Sequence, residues 1–144
     1  MLPLPHYYHV KSHTSSSNYL KLQSQHLPDL NVAPPFEFDG PGDQWSAETL
    51  LISALTSSYL RSFKALAKNA TLNWIDIDCL SKGILDCTEN TTQFVKIKHI
   101  ILLKINNDTS EKEALSLLKK ADEMCFISQS LKCKIELDCN IAVV

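Results

Sequence analysis

The stretch WSAETLLISALTSSYLRSFKALAK, residues 45–68, decides the fold of this chain. Ser46 is a good helix N-cap, and Glu48 places a negative charge in the first turn. Trp45 and Leu50 have the spacing of a hydrophobic staple. No Gly or Pro interrupts the stretch, and its Ala, Leu and Lys residues favour helix. We therefore predict one long helix here.

Apolar residues occupy nearly every side of this helix, and a helix of that kind is normally buried. They are Leu50, Leu51, Ile52, Ala54, Leu55, Tyr59 and Leu60. The middle of the helix also carries small polar side chains, which need partners or a cavity when buried. These are Ser53, Thr56, Ser57 and Ser58. A buried helix with polar groups at its centre is where we look for a site.

Before the helix, residues 6–26 predict two short antiparallel strands joined through residues 14–18. Residues 27–43 are rich in Pro and Gly and predict a loop with a short edge strand. After the helix, residues 74–87 and 93–105 alternate apolar and polar side chains and predict a long hairpin that turns at residues 88–92. Ile75 and Val95 are expected on its core face.

Ser110 and Glu113 have capping-box spacing and predict the start of a second helix, whose apolar stripe ends at Cys125. The alternation from Cys133 to Val143 predicts a last strand. The element order is then β-β-(loop)-α-β-β-α-β. We predict one α+β domain over residues 1–144, with antiparallel sheets wrapped around the long central helix.

Composition excludes several classes of function. With 144 residues, 44% hydrophobic and 21% charged, the chain resembles an ordinary globular protein. A net charge of -2 without a basic face gives no reason to expect nucleic acid. No apolar run is long enough to span a membrane or to direct export, so we expect a cytoplasmic protein without membrane contact.

The chain has five cysteines, an odd number without a CxxC pair, which favours reduced thiols. Neither they nor the five histidines have ligand spacing, so we expect no metal and no other cofactor. Cys79, Cys133 and Cys139 lie on apolar strand faces and are predicted to be structural. His99 is predicted to be a hydrogen-bonded core or interface residue rather than a ligand. Cys87 near the hairpin turn is predicted to be an incidental thiol. The spacing of Cys125 favours a role in core packing. It stands at the C-terminal end of the second helix, the wrong end for stabilising a thiolate, so its activation would need tertiary neighbours.

Two segments far apart in the chain, GPGDQWS at residues 40–46 and CFISQSLK at residues 125–132, resemble the OsmC/Ohr family, the osmotically inducible and organic hydroperoxide resistance proteins. The order of elements is similar too. This resemblance implies an OsmC-like fold and an intertwined homodimer. It also implies a thiol-dependent hydroperoxide reductase that uses one cysteine on each helix, an arginine from the N-terminal strands and a glutamate near the start of the central helix. A dithiol reductant would then reopen the disulfide between the two cysteines.

By the same resemblance, Glu48 matches the family glutamate and Cys125 matches the resolving cysteine. The reactive position, ten residues after Glu48, is Ser58. A serine cannot form the thiolate, the sulfenic acid or the disulfide. The only arginine is Arg61, on the central helix itself, and Lys11 or Lys21 could supply charge but not the planar guanidinium.

Three functions follow, and the sequence leaves open whether the protein is an enzyme. The first is a family member without the two-cysteine cycle that keeps a dimeric apolar pocket for a small hydrophobic, thiol-bearing or peroxide ligand, or acts as a scaffold. The second is a one-cysteine thiol peroxidase that uses Cys125 and an external thiol. The third is a structural stress protein with a residual site.

Overall fold

A computed structural model describes residues 1–16 and 19–144 of the chain. Its strands are β1 (Lys11–Thr14), β2 (Leu20–Gln23), β3 (Leu30–Val32), β4 (Trp74–Thr88), β5 (Thr91–Ile105) and β6 (Lys134–Val143). Its α-helices are α1 (Ala47–Asn69), α2 (Glu111–Glu123) and the one-turn α3 (Phe126–Gln129), and a 3-10 helix spans Phe36–Phe38. The predicted α+β class is confirmed. The edge strand expected between residues 27 and 43 is β3, and α3 was not predicted.

The chain divides into two compact units, Met1–Leu50 and Leu51–Val144, and the single domain over residues 1–144 stays a prediction. In the first unit β1, β2 and β3 form an antiparallel sheet in that order. The expected connection between β1 and β2 includes Ser17 and Asn18, which lie outside the described residues. After β3, the Ala33 N–H donates to the Trp45 carbonyl at 3.0 Å, which ties the loop to the start of α1.

The predicted N-cap of α1 forms. The Ser46 Oγ accepts the Thr49 N–H at 3.1 Å, and the Thr49 Oγ1 accepts the Ser46 N–H at 2.9 Å. Two N-terminal N–H groups are satisfied reciprocally, with Thr49 in the place that Glu or Gln takes in a capping box. The start of the helix at Ala47 follows from this pair.

Helix α1 buries one stripe of side chains at helical spacing. The stripe comprises Leu55, Ser58, Tyr59, Phe63, Leu66 and Ala67. The other side is exposed at Ala54, Ser57, Arg61, Lys64, Ala65 and Lys68. The expectation that most of the circumference is buried was too broad, because charged side chains from Arg61 onwards recur at helical spacing and solvate one side.

Strands β4 and β5 form the predicted hairpin around Glu89 and Asn90, whose φ angles are 51° and 61°. Two residues with positive φ are what a tight hairpin turn of primed type requires. A register shift between Trp74 and Asp76 turns Ile75 outward, where it is 47% exposed. The prediction that Ile75 faces the core was wrong for that reason.

Strand β6 pairs with β5 in parallel, from Lys96 opposite Lys134 to Ile105 opposite Val143. The prediction that all the sheets are antiparallel was wrong here. Because α2 and α3 carry the chain back past the whole length of β5, β6 starts from the same end as β5. The alternation itself is confirmed, since Ile135, Leu137, Cys139 and Ile141 pack against the core of the second unit.

Helix α2 begins at the predicted N-cap, where the Ser110 Oγ accepts the Glu113 N–H at 3.2 Å. Its buried residues are Ala114, Leu118 and Ala121. Of the other two residues in the predicted stripe, Leu117 is partly buried and Cys125 lies beyond the end of the helix. The core of the second unit therefore comprises one stripe each of α1 and α2 and the inner face of the β4-β5-β6 sheet.

Candidate functional site

Cys125 is fully buried and stands at a different place from the one predicted. Helix α2 ends at Glu123, and Cys125 is the N-cap of α3. Its Sγ accepts the Ser128 N–H at 3.4 Å. The argument that Cys125 lies at the wrong end of a helix was therefore incorrect, because the chain turns after Met124 and starts a new helix at this residue.

Ser58 lies in the buried stripe of α1 and is 6% exposed. Its Oγ has no hydrogen-bond partner within residues 1–16 and 19–144. Most serines within helices donate to the carbonyl four residues earlier or reach solvent, as Ser62 does at 3.0 Å from the Ser58 carbonyl. The Ser58 hydroxyl is thus a buried polar group left without the partner that such groups normally have.

The second unit brings Ser58 and Cys125 into one region. The Cys125 thiol points to the Leu55 carbonyl, with Sγ and O 4.0 Å apart. The Ser62 Oγ lies 3.5 Å from the Met124 carbonyl. Leu55, Ser58 and Ser62 are spaced three and four residues apart and share a side of the helix. Residues 124–125 therefore run along the turn of α1 that carries Ser58.

Arg61, one turn after Ser58, is exposed, and its guanidinium lies over the ring of Phe126 at 5.6 Å from the centroid. Phe126 directly follows Cys125. The sequence showed that this arginine is on α1 but gave no indication that it packs beside the Cys125 segment. This cation–π contact holds the guanidinium on the outside of the second unit.

A series of polar side-chain contacts, which was not predicted from the sequence, runs from α1 to the β4-β5-β6 sheet. The Thr56 Oγ1 donates to the Cys79 Sγ at 3.3 Å, and that Sγ lies 3.6 Å from the Ser81 Oγ. The Ser81 Oγ is 2.6 Å from the His99 Nδ1. The His99 Nε2 is buried without a partner in the described part of the chain.

His99 also stacks on Tyr59, with ring centroids 5.0 Å apart, and the Tyr59 hydroxyl donates to the Leu118 carbonyl at 3.0 Å. Burial lowers the pKa of His99 from its ordinary value, partly offset by Asp122, and raises the pKa of Tyr59. Burial likewise raises the pKa of the Cys139 thiol. These groups are held neutral at pH 7, as the prediction of a structural His99 and Cys139 requires.

Glu48 belongs to the first unit, in the first turn of α1, where it is half-buried. It lines an open pocket of about 540 Å³ within that unit. Apart from Glu48, the lining residues are Thr14, Leu20, Val32, Ala33, Pro34, Pro35, Phe38 and Ala47. The pocket is an apolar concavity with one carboxylate, a composition typical of small-molecule sites.

Among residues 1–16 and 19–144, no three His, Cys, Asp or Glu side chains are grouped as metal ligands would be. In the same residues, no helix combines the length and hydrophobicity of a membrane-spanning segment.

Comparison with known proteins identifies the family of this chain. The model of the family described as OsmC-like protein matches residues 40–140. An uncharacterized protein of Bacillus subtilis (strain 168), YmaD, is 28% identical over an alignment of 116 residues that covers 78% of this chain and 77% of YmaD.

Two solved structures share the fold. An OsmC-like protein of unknown function from Vibrio cholerae has a TM-score of 0.86 at 12% identity, over 94% of this chain and 99% of that chain. An organic hydroperoxide resistance protein from Elizabethkingia anophelis has a TM-score of 0.76 at 15% identity, over 98% and 100% of the two chains. The predicted OsmC-like fold and the resemblance to this family are confirmed.

Proposed function

The chain belongs to the OsmC-like protein family, and we propose that it is a member that has lost the two-cysteine hydroperoxide reductase cycle and keeps a pocket for a small ligand. Family membership supports a function related to oxidative stress. The observation that carries the proposal is the buried Ser58 hydroxyl on the turn of α1 beside residues 124–125. An oxygen stands where a two-cysteine enzyme needs its reactive sulfur.

The chemistry explains why this replacement ends the cycle. A thiolate attacks the peroxide O–O bond, takes one oxygen as sulfenic acid and releases the alcohol. A second thiol then condenses with the sulfenic acid, releases water and leaves a disulfide. A serine hydroxyl can take neither part, so Cys125 has no sulfur partner at position 58.

The position of the only arginine gives independent support. By the family resemblance, the active centre uses a planar guanidinium beside the thiol, which lysine cannot replace, and strands β1 and β2 contain lysine but no arginine. Arg61 packs on Phe126 at the exposed side of α1 instead. Two parts of the cycle are therefore absent together, as expected when a function is no longer maintained.

The retained function is then binding, in the first unit's pocket around Glu48. Apolar walls and one charged group suit a small hydrophobic ligand with one polar end. We further propose that the protein is a cytoplasmic homodimer, in keeping with the family resemblance and with five cysteines that are all free thiols.

A one-cysteine thiol peroxidase is the second candidate, and the observation that favours it is the Ser128 N–H bonded to the Cys125 Sγ. A donor of this kind stabilises a thiolate. Against it, Cys125 has no solvent exposure, so a peroxide could reach its sulfur only after the chain opens locally. An external thiol or dithiol would be the reductant in this mechanism.

Consumption of cumene hydroperoxide by the purified protein with dithiothreitol separates the two candidates, with Ser58→Cys and Cys125→Ser as matched variants. We expect the wild type and Ser58→Cys to show no turnover above the dithiothreitol background, since the arginine is also missing. Wild-type turnover that Cys125→Ser abolishes would overturn the proposal and establish the one-cysteine enzyme.

A further inference from the structure

Among the described residues that line the pocket around Glu48, this glutamate is the one charged side chain and none is basic. We propose that the ligand of this pocket is a small organic cation, a primary ammonium group on an apolar body. This inference rests on the proposed ligand-binding function and adds the chemical class of the ligand.

The walls of the pocket offer few hydrogen-bond donors. Pro34 and Pro35 have no N–H, and the Ala33 N–H already donates to the Trp45 carbonyl at 3.0 Å. The single hydroxyl hydrogen of Thr14 has two carbonyl acceptors within reach, those of Ser15 and Tyr19 at 3.2 and 3.3 Å. A ligand whose polar end only accepts hydrogen bonds would find no free side-chain donor among these lining groups.

The Glu48 carboxylate offers hydrogen-bond acceptors instead of donors. An ionised Glu is purely an acceptor, and this one has no ion-pair or hydrogen-bond partner among the described residues. It is half-buried and lines the same pocket as the apolar Val32 and Ala33, so its charge is less well solvated than in open water. An ammonium ion meets it with three donors and compensates its charge.

One feature of the pocket favours an anion rather than a cation. The backbone N–H groups in the first turn of α1, at Ala47 and Glu48, attract anions. A carboxylate probe therefore tests the proposal directly, because it would bind well if the helix terminus dominated and poorly if Glu48 does.

The test compares hexylammonium, 1-hexanol and hexanoate, which share one apolar chain that fits a pocket of about 540 Å³. Their dissociation constants for the purified full chain are measured by calorimetry or by NMR titration. We expect hexylammonium to bind about tenfold more tightly than hexanol, as one charge-assisted contact at a partly exposed carboxylate allows, and hexanoate to bind more weakly than hexanol. Glu48→Gln should remove the tenfold difference, whereas Glu37→Gln, an exposed acid outside the lining, should leave it unchanged.

A second measurement uses the wild type alone. Affinity for hexylammonium should fall between 20 mM and 500 mM salt, while affinity for hexanol should not, because salt screens only the charged contact. Equal binding of the three compounds, or preference for hexanoate, would overturn the cation inference while the ligand-binding function stands. If none of them binds, the ligand-binding part of the proposed function fails as well.

Discussion

In the proposed function, one atom at position 58 separates a hydroperoxide reductase from a binding protein. The Ser58 Oγ is buried and unpaired within the described residues, so the position is not explained by hydrogen bonding. A serine there leaves the helix intact, since Ser is a tolerated helix residue. The side chain of Cys125 remains packed and bonded to the Ser128 N–H. The proposed loss of the two-cysteine cycle is therefore compatible with an intact fold.

His99 makes folding sensitive to acid. Burial lowers its pKa in the folded protein below the ordinary value of 6.5 that it regains on unfolding. Below pH 6.5 the unfolded chain takes up a proton that the folded chain resists. Stability is therefore fully present above pH 6.5 and is lost as the pH falls below it, by at most about 1.4 kcal/mol per pH unit.

Urea unfolding between pH 8 and pH 5 measures this loss, and His99→Gln should flatten the profile over that range. His13, which is exposed on β1, provides the control, because His13→Gln should leave the profile of the wild type unchanged. Parallel profiles for the wild type and His99→Gln would show that His99 is not the group responsible.

At the scale of secondary structure, sequence periodicity predicted which residues form elements, but not how the elements are directed. The caps at Ser46 and Ser110 and the hairpin turn were each predictable from local chemistry. The parallel direction of β6 was not, because alternation is the same in parallel and antiparallel strands. The exposure of Ile75 depends on a register shift that side-chain alternation cannot reveal.

For the candidate site too, the sequence predicted which elements carry the residues but not all of their contacts. The resemblance placed Ser58 and Cys125 on two elements, and the second unit brings those elements together. The contact between Ser81 and His99 could follow only from the hairpin register, which a further shift between Ile84 and Leu85 changes by one residue. The start of α3 at Cys125 has no signal as clear as a Ser or Thr cap, and so its bond to the Ser128 N–H was missed.

Gly83 leaves room for the side chains of Ile52 on α1 and Phe94 on β5. A Cβ at this position would lie 2.7 Å from the Ile52 Cδ1 and 2.8 Å from the Phe94 Cε1, too close for either side chain to stay in place. We expect Gly83→Val to lower the free energy of unfolding by about 1–3 kcal/mol, the usual effect of overpacking. Chemical denaturation measures this change.

Lys82→Val is the matched control, since it introduces the same side chain at the neighbouring exposed position. It should change stability by less than about 0.5 kcal/mol. If the two variants are equally stable, the side chains of Ile52 and Phe94 do not pack tightly against Gly83.

For the whole molecule, the proposed homodimer predicts a mass of twice the 16.2 kDa of one chain. Such an assembly would give the exposed side of α1 a partner, including the apolar Ala54 and Ala65. Light scattering coupled to size-exclusion chromatography, at several protein concentrations, measures the mass. A mass of one chain at all concentrations would contradict the dimer without affecting the Ser58 proposal.

The central claim is that position 58 lies beside Cys125 and carries an oxygen where the two-cysteine cycle needs a sulfur. Its most direct test is oxidation of Ser58→Cys with diamide, followed by peptide mapping of the disulfides, with Ser57→Cys at the exposed neighbouring position as control. The account predicts a disulfide between positions 58 and 125 in Ser58→Cys, and no disulfide to Cys125 in Ser57→Cys or the wild type. Absence of that disulfide in folded, oxidised Ser58→Cys would contradict it.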